Sequence, residues 1–147
     1  MKDTFSRLAL VQVVAPVLVK DATVPEAVIV DLVDFNSALV EFSCNDKASG
    51  DTGTITLKME HADESAEGGT PGTFSDVTSD DVLGVTPSGG VIFTLAGGAV
   101  AKNIYKCGYV GGKRYLRFTL AETGVNATGT ILSVTVIKGH GLNVPAV

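Results

Sequence analysis

"TITLKMEH", residues 54–61, decides the fold class of this chain. Its apolar side chains recur at every second position: Ile55, Leu57 and Met59 fall on one face, while Thr56, Lys58 and Glu60 fall on the other. A period of two is the period of a β-strand with one face in a core and the other in water. The same count extends outward in both directions. No segment carries a long helical period, and the alternating runs are separated by glycine, asparagine, aspartate and proline.

Towards the N-terminus, Val28 to Val33 is a first core strand, and Ala38 to Cys44 is a second. In the second, Val40, Phe42 and Cys44 point one way and Glu41 and Ser43 the other. "CNDKASGDTG", residues 44–53, then turns the chain. Beyond His61 an acidic, glycine-rich excursion covers Ala62 to Gly72. A short strand is expected over Thr73 to Val77, and Val91, Phe93 and Leu95 mark the next. Ile104 to Tyr109 and Tyr115 to Leu120 flank "VGGK", residues 110–113, and read as a β-hairpin. Gly111 and Gly112 are its turn-forming residues, because glycine takes the positive φ that tight hairpin loops demand. Leu116, Phe118 and Leu120 fall on one face in this reading, and Tyr115, Arg117 and Thr119 on the other. The last strand, Thr130 to Lys138, buries Leu132, Val134 and Val136.

About eight or nine such strands, with turns every 8–12 residues and no helix to cover a sheet, predict an all-β fold of two antiparallel sheets packed face to face. The specific expectation is a jelly-roll-like β-sandwich over residues 28–139. Residues 1–27 sit outside the repeat as an extended N-terminal arm, and residues 140–147 form a C-terminal tail.

With 147 residues the chain is long enough to bury a core without disulfides or metal. Lysine and arginine number 11 against 16 aspartates and glutamates, a net charge of −5, which argues against binding DNA or anionic lipid by bulk electrostatics. Cys44 and Cys107 lie in apolar strand patterns far apart in sequence and read as buried free thiols. "MKDTFSRLALVQVVAPVLVKDA", residues 1–22, resembles a signal peptide only superficially. Gln12 and Pro16 interrupt its apolar run, and no small-residue cleavage site follows, so no export signal is expected. No run approaches the roughly 20 apolar residues that span a bilayer.

Chemistry-bearing constellations are sparse. His61 and His140 are the two histidines, and neither stands in a metal-ligand or nucleophile spacing. His61, beside Asp63 and Glu64, is expected to be a solvated strand end. Asp63, Glu64, Glu67, Asp76, Asp80 and Asp81 follow no calcium-loop spacing and read as solvated loops. The paired glycines of "GGVIFTLAGG" and "GYVGGKRY" do not lead from a strand into a helix, as phosphate-cradling loops do. No catalytic residue, metal or cofactor is expected. Lys113, Arg114 and Arg117 are either a basic contact patch or a solvated face whose long stems cover Tyr105 or Tyr115.

From Val28 onward, the order of features resembles the capsid decoration, or cement, proteins encoded in tailed-phage and prophage head modules. "TGTITLKMEHADES" is similar to that family's strand followed by an acidic loop, and "FSDVTSDDVLG" to its F/W-x-D-V stretch. "YKCGYVGGKRYLRFTL" carries the most specific likeness, to a tyrosine, glycine and K-R-Y-x-R hairpin. "IKGHGLNVPAV" resembles a glycine-histidine-proline ending but lacks the proline and the basic residue that usually follow the histidine.

The resemblance implies a viral structural protein, not an enzyme. Such a protein is made in the host cytoplasm, sits on the outer surface of an icosahedral phage head, and cements neighbouring major capsid protein subunits against packaged DNA. The implied partners are the major capsid protein and a second copy of the chain, as a homodimer or a trimer, with no direct nucleic acid and no membrane. Capsid-contact candidates are Leu8, Leu10, Val11, Val13, Val14 and Val17 of the arm, together with Lys113, Arg114 and Arg117. The arm either adds to an exposed capsid sheet edge or completes the protein's own sandwich or a symmetric dimer. A carbohydrate-binding or adhesion module on the same fold is the alternative, and a hydrolase using Asp76 or Glu64 a further rival.

Overall fold

The computed structural model describes residues 7–21, 23–98 and 103–142. Ten strands are laid out in chain order: β1 (Ala9–Val19), β2 (Val28–Asp31), β3 (Phe35–Cys44), β4 (Thr54–Ala62), β5 (Ser75–Asp76), β6 (Val82–Leu83), β7 (Val91–Leu95), β8 (Asn103–Tyr109), β9 (Tyr115–Thr123) and β10 (Thr130–Gly141). All pairings are antiparallel. One sheet runs β1-β10-β3-β8-β6 and the other β2-β9-β4-β5, with β7 also on β4. The class expected from alternation, an all-β antiparallel sandwich, is the class observed. The two-residue strand β6 lies in the acidic stretch that the sequence reading left as loop.

The core is the set of inward positions of both sheets. Val40, Phe42, Leu132, Val134 and Val136 come from the first sheet, and Ile55, Leu57, Met59, Leu116, Phe118 and Leu120 from the second. Phe42, Phe93 and Tyr105 form an aromatic cluster, with ring centroids 5.6–6.0 Å apart. Offset and edge-to-face pairs of this kind add to what area burial alone contributes. Cys44 and Cys107 are free and buried, as expected.

Two expectations are corrected by strand pairing. Residues 9–19 are not an arm outside the sandwich but complete it, the alternative left open for this segment. They pair with β10 from Ala9↔Lys138 to Val19↔Thr130 and send Val13, Val14 and Val19 into the core. The register slips between Gln12 and Val14 and again between Val14 and Val17, and a slip of this kind lets Val13 and Val14, adjacent in sequence, both point inward. Pro16 sits in the irregular stretch of this edge strand, where a missing N–H costs no ladder bond. At the other terminus β10 continues through His140 to Gly141, so the tail begins later than expected; residues 1–6 and 143–147 lie outside the described residues.

The second correction concerns "VGGK". Strand β8 before it belongs to the first sheet, on β3, and β9 after it belongs to the second, between β2 and β4. The stretch is therefore an arch that carries the chain across the core. Neither Gly111 nor Gly112 adopts a positive φ. Gly111 is required for a different reason: a Cβ there would lie 2.7–2.8 Å from Oη, Cζ and Cε2 of Tyr109, whereas a Cβ on Gly112 would meet nothing within 4 Å.

Candidate docking face and the inter-sheet arch

The arch is pinned by the last residue of β8. Tyr109 is 1% exposed and its hydroxyl accepts a hydrogen bond from the Lys113 amide at 3.2 Å. The same hydroxyl lies 3.1 Å from Nδ1 of His61, and burial pushes its pKa up to about 12. His61 is thus not the solvated strand end expected: it follows the inward parity of β4, is 6% exposed, and stands edge-on to the Tyr109 ring. Burial lowers its pKa more than Asp81, 3.9 Å away, raises it. An imidazole with Nδ1 unprotonated can accept a hydrogen bond from the tyrosine hydroxyl, which also lies 3.4 Å from the Lys113 carbonyl oxygen.

The cations beside the arch are engaged within the chain. Arg114 forms a two-pronged pair with Asp31, Nε to Oδ1 and Nη2 to Oδ2 both at 2.8 Å, and its remaining nitrogen reaches Glu64 at 2.8 Å. The geometry is the planar fork that matches guanidinium to carboxylate. The hydrogen bond from Arg114 is the largest influence holding Asp31 below its ordinary pKa. Arg117 donates to Glu60 at 2.7 Å and lies 4.3 Å over the Phe74 ring. Lys58 bridges Asp76 at 2.7 Å and Glu60 at 3.4 Å. Lys113 reaches Ser75 at 3.2 Å and Asp63 at 4.0 Å. Tyr115 is buried beneath the Arg114 guanidinium, 4.9 Å from its ring, covered by a long basic side chain as one reading of the cations expected. These residues tie the arch to the outer surface of the second sheet, which is accordingly polar and internally neutralised.

The outer surface of the first sheet is different. Cross-strand register places Leu10 opposite Ile137, Ile137 opposite Leu39, Leu39 opposite Gly108, and Gly108 opposite Leu83. One apolar row thus crosses all five strands, about 20 Å at the usual strand spacing. Leu10 is 71% exposed and Leu83 60% exposed. Leu8 and Val110 flank the row, and together with Tyr109 and Gly139 they line a shallow groove of about 610 Å³. Next to it runs a polar row, Gln12–Thr135–Glu41–Lys106. Beyond that is a smaller apolar area around Pro16, Ile104 and Ile131.

The residues singled out from sequence therefore divide. Leu8 and Leu10 reach the apolar face. Val13 and Val14 are in the core, and Val11 and Val17 pack against it. The outward parity of Leu39 and Ile137 in their strands was a readable signal, but the row they form depends on pairing across five strands. Among the described residues no three histidines, cysteines, aspartates or glutamates are placed to hold a metal ion. Among the same residues no helix is long and apolar enough to cross a membrane.

A comparison with models of known protein families gives no match, and neither does one with curated proteins.

Proposed function

We propose that this chain is a structural binding protein of the capsid-cementing kind, which docks on the outer surface of a tailed-phage head through its first sheet and bridges neighbouring major capsid protein subunits. The apolar row Leu10–Ile137–Leu39–Gly108–Leu83 carries this reading. It spans a five-stranded sheet and stands beside a polar row able to fix register. Leu10, Leu39 and Leu83 exposed around a half-buried Ile137 mark a surface that gains by being covered. Strand order supports the jelly-roll form of the sandwich: β1-β10-β3-β8 opposes β2-β9-β4-β5, so the chain passes back and forth between the sheets as it does in two interlocked Greek keys. A body of this kind carries static load, and the net charge of −5 suits an outer surface facing away from packaged DNA.

Bridging converts modest contacts into firm attachment, because the second contact is intramolecular and adds on the order of 10²–10⁴ in avidity. A homodimer centred on a two-fold axis supplies two such contacts by symmetry. The test is co-sedimentation of the purified protein with expanded, undecorated heads of the cognate phage. Saturation at a fixed, symmetry-compatible ratio to the shell subunit is expected, with Leu39→Glu and Leu83→Asp remaining folded and failing to bind. Absence of binding by the native protein removes the reading and makes a glycan-array screen the next experiment.

A further inference from the structure

At the end of the sandwich opposite the arch, the β3–β4 loop, the β9–β10 loop and the turn after β1 meet in a buried polar cluster that the docking face does not use. Asp51, 1% exposed, accepts hydrogen bonds from the amides of Thr128 at 3.0 Å and Gly129 at 2.9 Å. Asp21 accepts one from the Asn126 amide at 2.9 Å. Between them sit Lys47, 2% exposed, and Asn126, fully buried.

Lys47 and Asn126 converge on one residue. Nζ of Lys47 donates to the carbonyl oxygen of Gly53 and lies 3.5 Å from that of Ala96. The Asn126 carboxamide lies over the α-carbon of the same Gly53, so closely that a Cβ there would sit 2.9 Å from Asn126 Cγ. Nδ2 of Asn126 donates to Oε1 of Glu122. Oδ1 of Asn126 is buried with no hydrogen-bond partner among the described residues. An orphaned carboxamide oxygen inside a protein costs free energy and calls for an explanation. A buried lysine and a buried carboxamide set against one glycine, with the half-buried Glu122 carboxylate hydrogen-bonded to the carboxamide, are the components of an amide exchange.

We propose that Lys47 and Asn126 join in an intramolecular isopeptide bond, with Glu122 moving the proton between them. The neutral Lys47 amine attacks Cγ of Asn126, forming the Nζ–Cγ bond. Glu122 takes a proton from Nζ and delivers it to Nδ2, the Cγ–Nδ2 bond breaks, and ammonia leaves. One amide replaces another, no oxidant or reductant takes part, and Glu122 ends as it began. Two features of the site favour the step. Burial lowers the Lys47 pKa against the opposing pull of Asp51 and Glu122, and desolvation is an established way of making a lysine nucleophilic. Holding both partners against one glycine also supplies much of the proximity that a bimolecular amide exchange lacks, with rotation of the lysine end needed to bring the reacting atoms within about 3–3.5 Å. The bond would link the β3–β4 loop to the β9–β10 loop and close the two sheets at this end, independently of what the opposite groove binds.

The decisive experiment is intact-mass spectrometry of the full chain under denaturing conditions. The cross-link predicts a mass about 17 Da below that of the sequence, the mass of ammonia. After trypsin it predicts one branched peptide joining residues 21–58, uncut at Lys47, to residues 118–138. Lys47→Arg and Glu122→Gln are expected at full mass. A native chain at full mass overturns the proposal, whatever the variants do. So does a 17 Da deficit that persists in Lys47→Arg, since that deficit would come from a succinimide at Asn126.

Discussion

Replacing Gly111 with alanine tests whether the arch is held by Tyr109. The added methyl would sit 2.7 Å from the tyrosine oxygen and 2.8 Å from two ring carbons, whereas carbon atoms rest at about 3.5–4.0 Å. About 1 Å of movement is required. The ring has little room to give, because it is 1% exposed and its hydroxyl is tied to the Lys113 amide and to His61. Overpacking of a closed site costs about 1–3 kcal/mol. With a urea dependence of about 1–3 kcal/mol/M, the unfolding midpoint of Gly111→Ala should fall by roughly 1 M. Gly112→Ala is the control: its Cβ enters open space and its backbone is not in the left-handed region. It should be neutral or slightly stabilising, by up to about 1 kcal/mol through the unfolded chain. Urea titrations followed by circular dichroism compare the two. Equal midpoints for both variants and the native protein would refute the packing account, and equal losses in both would restore the hairpin turn in its place.

Other outcomes follow from the same contacts. Tyr109→Phe leaves the Lys113 amide and His61 Nδ1 without their partner and should cost about 1–3 kcal/mol in the same titration. Stability should decline on acidification in two stages. His61 has a folded pKa below its ordinary value, so its contribution is complete above pH of about 6.5 and is lost as the unfolded chain takes up a proton below that. Asp31 and Glu60, held low chiefly by hydrogen bonds from Arg114 and Arg117, contribute above the ordinary carboxylate range and lose that contribution as pH falls through their depressed folded values. His61→Gln should remove the first stage and keep the second, as read by thermal melts across pH. Cys107, whose thiol burial pushes up to about 11, should resist aromatic disulfide reagents until the protein is unfolded. Rapid labelling of the native protein would show that the first sheet opens.

The alternation of Thr54 to His61, and of the strands on either side, was enough to establish an all-β chain with known inward faces, because side-chain direction in a strand depends only on residue parity. For the same reason Leu132, Val134, Val136, Leu116 and Phe118 could be placed in the core before any neighbour was known. Parity is local, however, and pairing is not. "YVGGKRY" has the composition of a hairpin turn, yet Tyr109 and Tyr115 belong to different sheets, and the glycine there makes room for a ring instead of reversing the backbone. Val13 and Val14 fell in a segment outside the strand repeat, with its docking undecided, because a bulge breaks the period of two at that point. Arg114 and Arg117 looked available until the fold brought Asp31 and Glu60, distant in sequence, within 2.8 Å and 2.7 Å. The apolar row from Leu10 to Leu83 and the meeting of Lys47 with Asn126 at Gly53 exist only in three dimensions. Each joins residues dozens of positions apart, and only the register of the sheets and the packing of the loops decide that they touch.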